Sequence, residues 1–289
     1  MKTDITIKIA GEAGQGLQTM GQLIAKSLAR RGLNVFANQA LQSRIRGGHN
    51  CFQIRVSDAP VLAPNDTTDI LIALDNDSSC HLQELKKDSI VIFDSSSVKI
   101  TVDTGIKLDL PLEKIARESA GNKLMANIIA VGAVSGLLEC DINILLNLIR
   151  ESFGLKSRDI AELNIKAAQA GYDNAYKKVP GNSFSLLSCP KSAPKMLIGA
   201  SESIALGALA AGCKFISAYP MSPSTGIMTY LASKSGEFGI VVEQSEDEIA
   251  SINIALGASY AGVRAMTASS GGGFALMVEG LSLSGMTET

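Results

Sequence analysis

Four carboxylates fall within six residues at Glu243-Gln244-Ser245-Glu246-Asp247-Glu248, where an apolar run, Ile240 to Val242, gives way to helical periodicity. The positive end of a helix dipole favours acids there, and capping accounts for Asp247 and Glu248. Capping accounts less well for Glu246, which follows the strand directly, at the edge where open α/β sheets collect ligands. Upstream, Tyr219-Pro220-Met221-Ser222-Pro223-Ser224-Thr225 presents three hydroxyls between a strand and a helix. An N-cap role explains Ser224, whereas two prolines hold the backbone around Ser222. Downstream, Thr267-Ala268-Ser269-Ser270-Gly271-Gly272-Gly273 is a small-residue turn whose backbone can approach a ligand closely.

A further glycine-rich loop, Gly11-Glu12-Ala13-Gly14-Gln15-Gly16, lies near the N-terminus. Placed between strand and helix, Gly14 and Gly16 suit anion binding by backbone N–H groups or a tight domain contact. The register is not G-x-G-x-x-G, and the next strand ends in Asn38 rather than a ribose-binding acid, which disfavours a nicotinamide dinucleotide. Arg44 and Arg46, followed by Gly47-Gly48, offer two guanidinium groups for a carboxylate or phosphate, or else form a solvated charged loop. His49 and His81 lack a second ligand at metal spacing and read as structural. Cys51, Cys80, Cys140, Cys189 and Cys213 form no C-x-x-C pair, so neither a disulfide framework nor a metal ligand set is expected, and the site residues include no metal ligand.

These loops need strands and helices to hold them. Asp4 to Ala10 reads as a strand, and Leu17, Met20, Ile24 and Leu28 mark a helix that Gly32 ends. Strands follow at Asn34 to Ala37 and near Cys51 to Val56. Asp69 to Leu74 and Ser89 to Phe93 are apolar runs of the kind buried on both faces of a parallel sheet. From Leu112 to Lys178 the periodicity is helical. Residues 181–195 carry Pro190 and Pro194 without an apolar period and read as a linker between residues 1–180 and 196–289. In the second part, helix Ser203 to Ala211, strand Phe215 to Ala218, helix Gly226 to Lys234, strand Ile240 to Glu243, helix Asp247 to Tyr260 and strand Arg264 to Thr267 alternate. The fold class is α/β. About three strands is few for a doubly wound sheet, so the second domain is expected to be partial.

The chain has 289 residues, with 26 Lys and Arg against 28 Asp and Glu, so no sequence-wide positive field draws nucleic acid or an anionic membrane. Aromatic content of 4% with no Trp leaves little base-stacking surface. No targeting segment is recognisable, and the longest apolar stretch, Ile128 to Leu138, is too short for a bilayer, so a cytoplasmic location is expected.

The motifs together resemble the 2-oxoacid:ferredoxin oxidoreductases. Residues 1–180, through Ile9 to Gly16 and the Arg44 to Gly48 loop, are similar to the gamma part. Residues 196–289, through Ala205 to Gly212, Tyr219 to Thr225, Glu246 to Ala250 and Thr267 to Gly273, are similar to the start of the alpha part. The resemblance implies a gamma-type α/β domain followed by a partial thiamine-diphosphate-binding, pyrimidine-side α/β domain. It implies CoA-dependent oxidative decarboxylation of a 2-oxoacid, with 2-oxoglutarate preferred, and electrons passed to ferredoxin in anaerobic-type metabolism. Thiamine diphosphate would be shared with a beta subunit, Mg²⁺ and iron–sulfur clusters would sit on partner subunits, and coenzyme A would be the cosubstrate. Glu246 then matches the glutamate that hydrogen-bonds the aminopyrimidine and promotes loss of the C2 proton. Ser222 stands where the family has threonine in Tyr-Pro-x-Thr-Pro, near the substrate carboxylate or thiazolium. Tyr219, Pro220, Ser269, Ser270 and Gly271 are expected to border the cofactor, with Gly14, Gly16, Arg44 and Arg46 as anion or interdomain contacts. Gly272 departs from a common family proline. The alternative is a truncated, noncatalytic assembly module of such a complex.

Overall fold

The computed structural model describes residues 4–42, 48–154, 157–181, 184, 186 and 192–289. The chain divides into two compact units, Met1–Leu197 and Ile198–Thr289.

The first unit is built on a six-stranded sheet formed by β1 (Asp4–Glu12), β2 (Asn34–Ala40), β3 (His49–Ser57), β4 (Thr68–Ala73), β5 (Leu85–Phe93) and β6 (Ile106–Asp109) in the order β2-β3-β1-β4-β5-β6. β1 is the seam of this mixed sheet: it pairs antiparallel with β3, Ala10 opposite Cys51 and Glu12 opposite His49, and parallel with β4, Ile9 opposite Ile72. Ile5, Ile7 and Ile9 point to one face and Ala10 to the other, as the two-residue period of a strand requires. α1 (Leu17–Arg30) covers the first face with the expected Leu17, Met20, Ile24 and Leu28, all buried. On the opposite face, Ala10, Leu71, Ala73, Val91 and Phe93 form a smaller core. β6 and the 3₁₀ segment Asp77–Glu84 carry no apolar period, and sequence reading does not find them.

The expected helical stretch is α2 (Leu112–Ala120), α3 (Ala126–Leu137), α4 (Ile142–Gly154) and α5 (Arg158–Lys178). α3 is buried from Ile128 through Leu137, so it is a core helix and not an amphipathic one. Its crossing with α5 is glycine against backbone: a Cβ on Gly132 would lie 2.8 Å from the Ala168 carbonyl carbon, and one on Gly171 would lie 2.8 Å from that of Ile129. The segment read as a linker contributes to this unit. Phe184 is fully buried, Leu186 N–H donates to the Leu138 carbonyl, and Lys195 N–H to that of Ala29.

The second unit has a parallel three-stranded sheet, β7 (Phe215–Ala218), β8 (Val241–Gln244) and β9 (Ala265–Met266), in the order β8-β7-β9. Around it lie α6 (Ala200–Ala210), α7 (Thr225–Phe238), α8 (Glu248–Tyr260), α9 (Gly271–Leu276) and α10 (Val278–Thr287). Its core is Ala205, Cys213, Ile216, Ala218, Ile227, Met228, Leu231 and Ile240. Many large apolar side chains here face outward, among them Ile249, Tyr260, Phe274, Leu281 and Met286. Among the described residues no helix is long and apolar enough to cross a membrane.

Candidate active site at a parallel sheet edge

Because β7, β8 and β9 run parallel, the three loops that the sequence singles out leave the sheet at one edge. Ser245 N–H donates to the Ala218 carbonyl and fastens the end of β8 to that of β7, while Ser270 Oγ donates to Met221 Sδ and joins the third loop to the first. Tyr219 and Ser222 are exposed, Pro220, Ser269 and Ser270 are half-buried, and Gly271 is exposed. Ser224 does not cap α7: its hydroxyl donates back to the Met221 carbonyl.

The acidic cluster separates into three roles. Asp247 is the N-cap of α8, its carboxylate accepting from Ala250 N–H at 2.7 Å. Glu246 is exposed. Glu248, the first helical residue, is only 4% exposed, and its Oε1 is buried without a hydrogen-bond partner. Thr267 Oγ1 and Ser269 Oγ are partnerless in the same way. A Cβ on Gly273 would come within 2.8 Å of Glu248 Oε1 and would collide with Ser269 Oγ, so the absence of a side chain there lets carboxylate and hydroxyl approach one another. Buried polar atoms are normally paired, so the unpartnered oxygens of Glu248 and Ser269 beside Gly273, with that of Thr267 on the same loop as Ser269, mark this edge as the one suited to a polar ligand. Capping, which the sequence suggests for both Asp247 and Glu248, is the role of Asp247 alone. The signal that finds Glu248 is the i, i+4, i+7 face of α8, on which it lies with the buried Ile252 and Ala255.

In the first unit, Gly14 (φ 99°) and Gly16 (φ 80°) line a cleft of about 400 Å³ with Leu74, Asp94, Glu113 and Asn127. Among its described lining residues there are two carboxylates and no cation. Arg44 and Arg46 lie outside the described residues.

Beside β1 the structure corrects the reading of the histidines as isolated. His49 on β3 and His81 in the Asp77–Glu84 segment face each other, Nε2 to Nε2, at 2.8 Å, and Cys80 Sγ lies 3.5 Å from His49 Nε2. Glu84 accepts from Lys8 at 2.5 Å and from Thr68 at 2.8 Å, and contacts His81 Nδ1 at 2.7 Å. Burial opposes charge on His81, yet hydrogen bonds to Cys51 and Glu84 raise it to about 9. Burial likewise works against the Glu84 carboxylate, which hydrogen bonds from His81, Lys8 and Thr68 hold at about 2.

A family profile described as pyruvate ferredoxin/flavodoxin oxidoreductase matches residues 6–174, more than half of the chain. The chain belongs to this family. A second profile, pyruvate flavodoxin/ferredoxin oxidoreductase, thiamine diphosphate-binding, matches residues 206–289. The 2-oxoacid:ferredoxin oxidoreductase subunit alpha of a Sulfolobus species is 27% identical over 97% of this chain and 52% of its own length. The 2-oxoglutarate synthase subunit KorA of Archaeoglobus fulgidus is 48% identical over 93 residues, 32% of this chain and 27% of that one. A solved structure of 2-oxoglutarate:ferredoxin oxidoreductase from Magnetococcus marinus, with 2-oxoglutarate, coenzyme A and succinyl-CoA bound, superimposes with a TM-score of 0.82 at 31% identity. It covers 96% of this chain and 49% of that one. The chain thus spans about half the length of the Sulfolobus relative and of the Magnetococcus marinus structure.

The sheet edge of the second unit fits one half of thiamine diphosphate. An aminopyrimidine needs a carboxylate for its ring nitrogen and acceptors for its amine, and Glu248, Thr267 and Ser269 offer unpaired oxygens. The diphosphate half has no counterpart in these loops, which hold acids and hydroxyls but no Lys or Arg.

Proposed function

We propose that this chain is a subunit of a 2-oxoacid:ferredoxin oxidoreductase that carries out CoA-dependent oxidative decarboxylation, with 2-oxoglutarate as the substrate and ferredoxin as the electron acceptor. The reading is supported by the family match over both units and by the relatives named for 2-oxoglutarate. A partner beta subunit supplies the diphosphate and Mg²⁺ contacts, and iron–sulfur clusters lie on partner chains.

The observation that carries the site is the buried, partnerless Oε1 of Glu248. Bound thiamine diphosphate supplies the nucleophilic carbon for attack on the 2-oxo carbon. Glu248, not the exposed Glu246, is the carboxylate that faces the aminopyrimidine and holds the proton at its ring nitrogen. Asp247 fixes the start of α8 and thereby the direction of the neighbouring Glu248 side chain. Ser269 and Thr267 orient the amine side through their hydroxyls, and Ser222, on the outer part of the first loop with Tyr219 and Pro220, meets the substrate carboxylate.

The test is C2 hydrogen–deuterium exchange of thiamine diphosphate in the complex with the beta subunit. Glu248→Gln slows exchange on the order of 100- to 10,000-fold, the range of a lost general acid–base group, while Glu246→Gln leaves it nearly unchanged. The opposite pattern returns the role to Glu246. Turnover with 2-oxoglutarate below that with pyruvate refutes the substrate assignment.

A further inference from the structure

We propose that His49, Cys80 and His81 form a site for a divalent transition-metal ion, zinc by its donor set, on the face of the first unit where β1 and β3 meet the segment after β4. The ligand atoms are His49 Nε2, His81 Nε2 and Cys80 Sγ, which all lie within 4.8 Å of one another. Water or the neighbouring Cys51 thiol takes the fourth position.

The ring orientations carry the argument. His81 turns Nδ1 to Glu84 Oε1 at 2.7 Å, and His49 turns Nδ1 toward Asp75 Oδ2 at 3.7 Å. Glu84 holds a proton on His81 Nδ1, so Nε2 is the nitrogen of that ring left to face His49 and bind a metal ion in place of a proton. The two Nε2 atoms face each other at 2.8 Å, so a proton or a metal ion joins them. Carboxylate–histidine pairs of this kind are the usual second shell of a histidine metal site; His81 has one in Glu84, while His49 Nδ1 and Asp75 Oδ2, 3.7 Å apart, make no hydrogen bond.

The spacing also fits. Metal–nitrogen lengths of about 2.0 Å and a metal–sulfur length of about 2.3 Å, at a tetrahedral angle, place sulfur about 3.5 Å from nitrogen and the two nitrogens about 3.3 Å apart. Cys80 Sγ and His49 Nε2 already stand at 3.5 Å, and the 2.8 Å between the rings must open by roughly half an ångström. Charge points the same way: Glu84 and Asp75 bring two carboxylates to the histidines against the single ammonium of Lys8. Imidazole and thiolate select zinc over magnesium or calcium. An ion here ties β3 to the Asp77–Glu84 segment and stabilises the first unit by mass action. The competing occupant is a proton shared between the two rings.

The test uses the untagged full-length chain. Equilibrium dialysis against zinc should give one ion per chain. Cobalt substitution should give the intense visible bands of a tetrahedral site and a thiolate charge-transfer band, which Cys80→Ser abolishes and Cys140→Ser leaves intact. Glu84→Gln should weaken zinc binding about 10- to 100-fold, the effect of removing a second-shell carboxylate. Cys80 is exposed, so its serine variant tests the ligand even where a histidine variant fails to fold. Failure of the natively folded chain to retain zinc at micromolar free metal overturns the proposal and leaves the proton. Persistence of the charge-transfer band in Cys80→Ser overturns the ligand assignment. Neither result bears on the cofactor site of the second unit.

Discussion

Replacing Gly171 by alanine tests the glycine seam between α3 and α5. A Cβ there would stand 2.8 Å from the Ile129 carbonyl carbon and 3.0 Å from its Cα, with the carbonyl oxygen closer still. Comfortable carbon–carbon contact needs about 3.5–4.0 Å, so the helices must part by roughly 1 Å. The obstacle is backbone on a helix buried on all sides, and no side-chain rotation relieves it. Overpacking of this kind costs about 3 kcal/mol at the upper end of its usual range, and the better helix propensity of alanine returns about 1 kcal/mol. The net loss is about 2 kcal/mol, or a fall of ~4–8 °C in the melting temperature of a unit of this size. Calorimetry, with hydrogen exchange read on α3 peptides, measures it. Gly154→Ala is the control, because a Cβ at that position meets nothing within 4 Å. If Gly171→Ala melts at or above the parent temperature while α3 exchange is unchanged, the helices have slack and the reasoning fails.

Phe184→Ala removes a fully buried ring from the first unit and should cost about 3–5 kcal/mol in denaturant unfolding, whereas a segment acting only as a linker would show no change. Asp247→Ala removes the cap of α8 and should cost about 1 kcal/mol, together with slower C2 exchange because Glu248 is the next residue. Titration calorimetry of the isolated chain with thiamine diphosphate and Mg²⁺ should show no tight binding until the beta subunit is added. Tight binding to the chain alone contradicts the division of the cofactor between subunits.

Much of this architecture is legible in the sequence because period and burial coincide. The positions Leu17, Met20, Ile24 and Leu28 face the sheet as their spacing requires, and Phe215–Ala218 is a strand with the expected bounds. In α8 period and burial part company. Its larger apolar residues suggest a buried face through Ile249 and Tyr260, but both are exposed, and Glu248, Ser251, Ile252 and Ala255 are buried instead. Size misleads where an apolar surface is turned outward, and the buried face that carries Glu248 is hidden with it. The histidine cluster is invisible for a different reason: His49 and His81 are brought together only because β1 takes β3 on one side and β4 on the other.

The seam of α3 and α5 has a consequence for the cleft in the first unit. Asn127, in the first turn of α3, lines that cleft and reaches the Gly16 loop, since a Cβ on Gly16 would lie 2.8 Å from its Nδ2. One wall of the cleft is therefore the end of a rod clamped backbone to backbone, with no side-chain layer to yield. A molecule entering it meets a surface whose shape is already set. It loses little affinity to the ordering of that wall, and it gains little from induced adjustment. Selectivity on that side rests on shape and on the hydrogen bonds of a fixed rim.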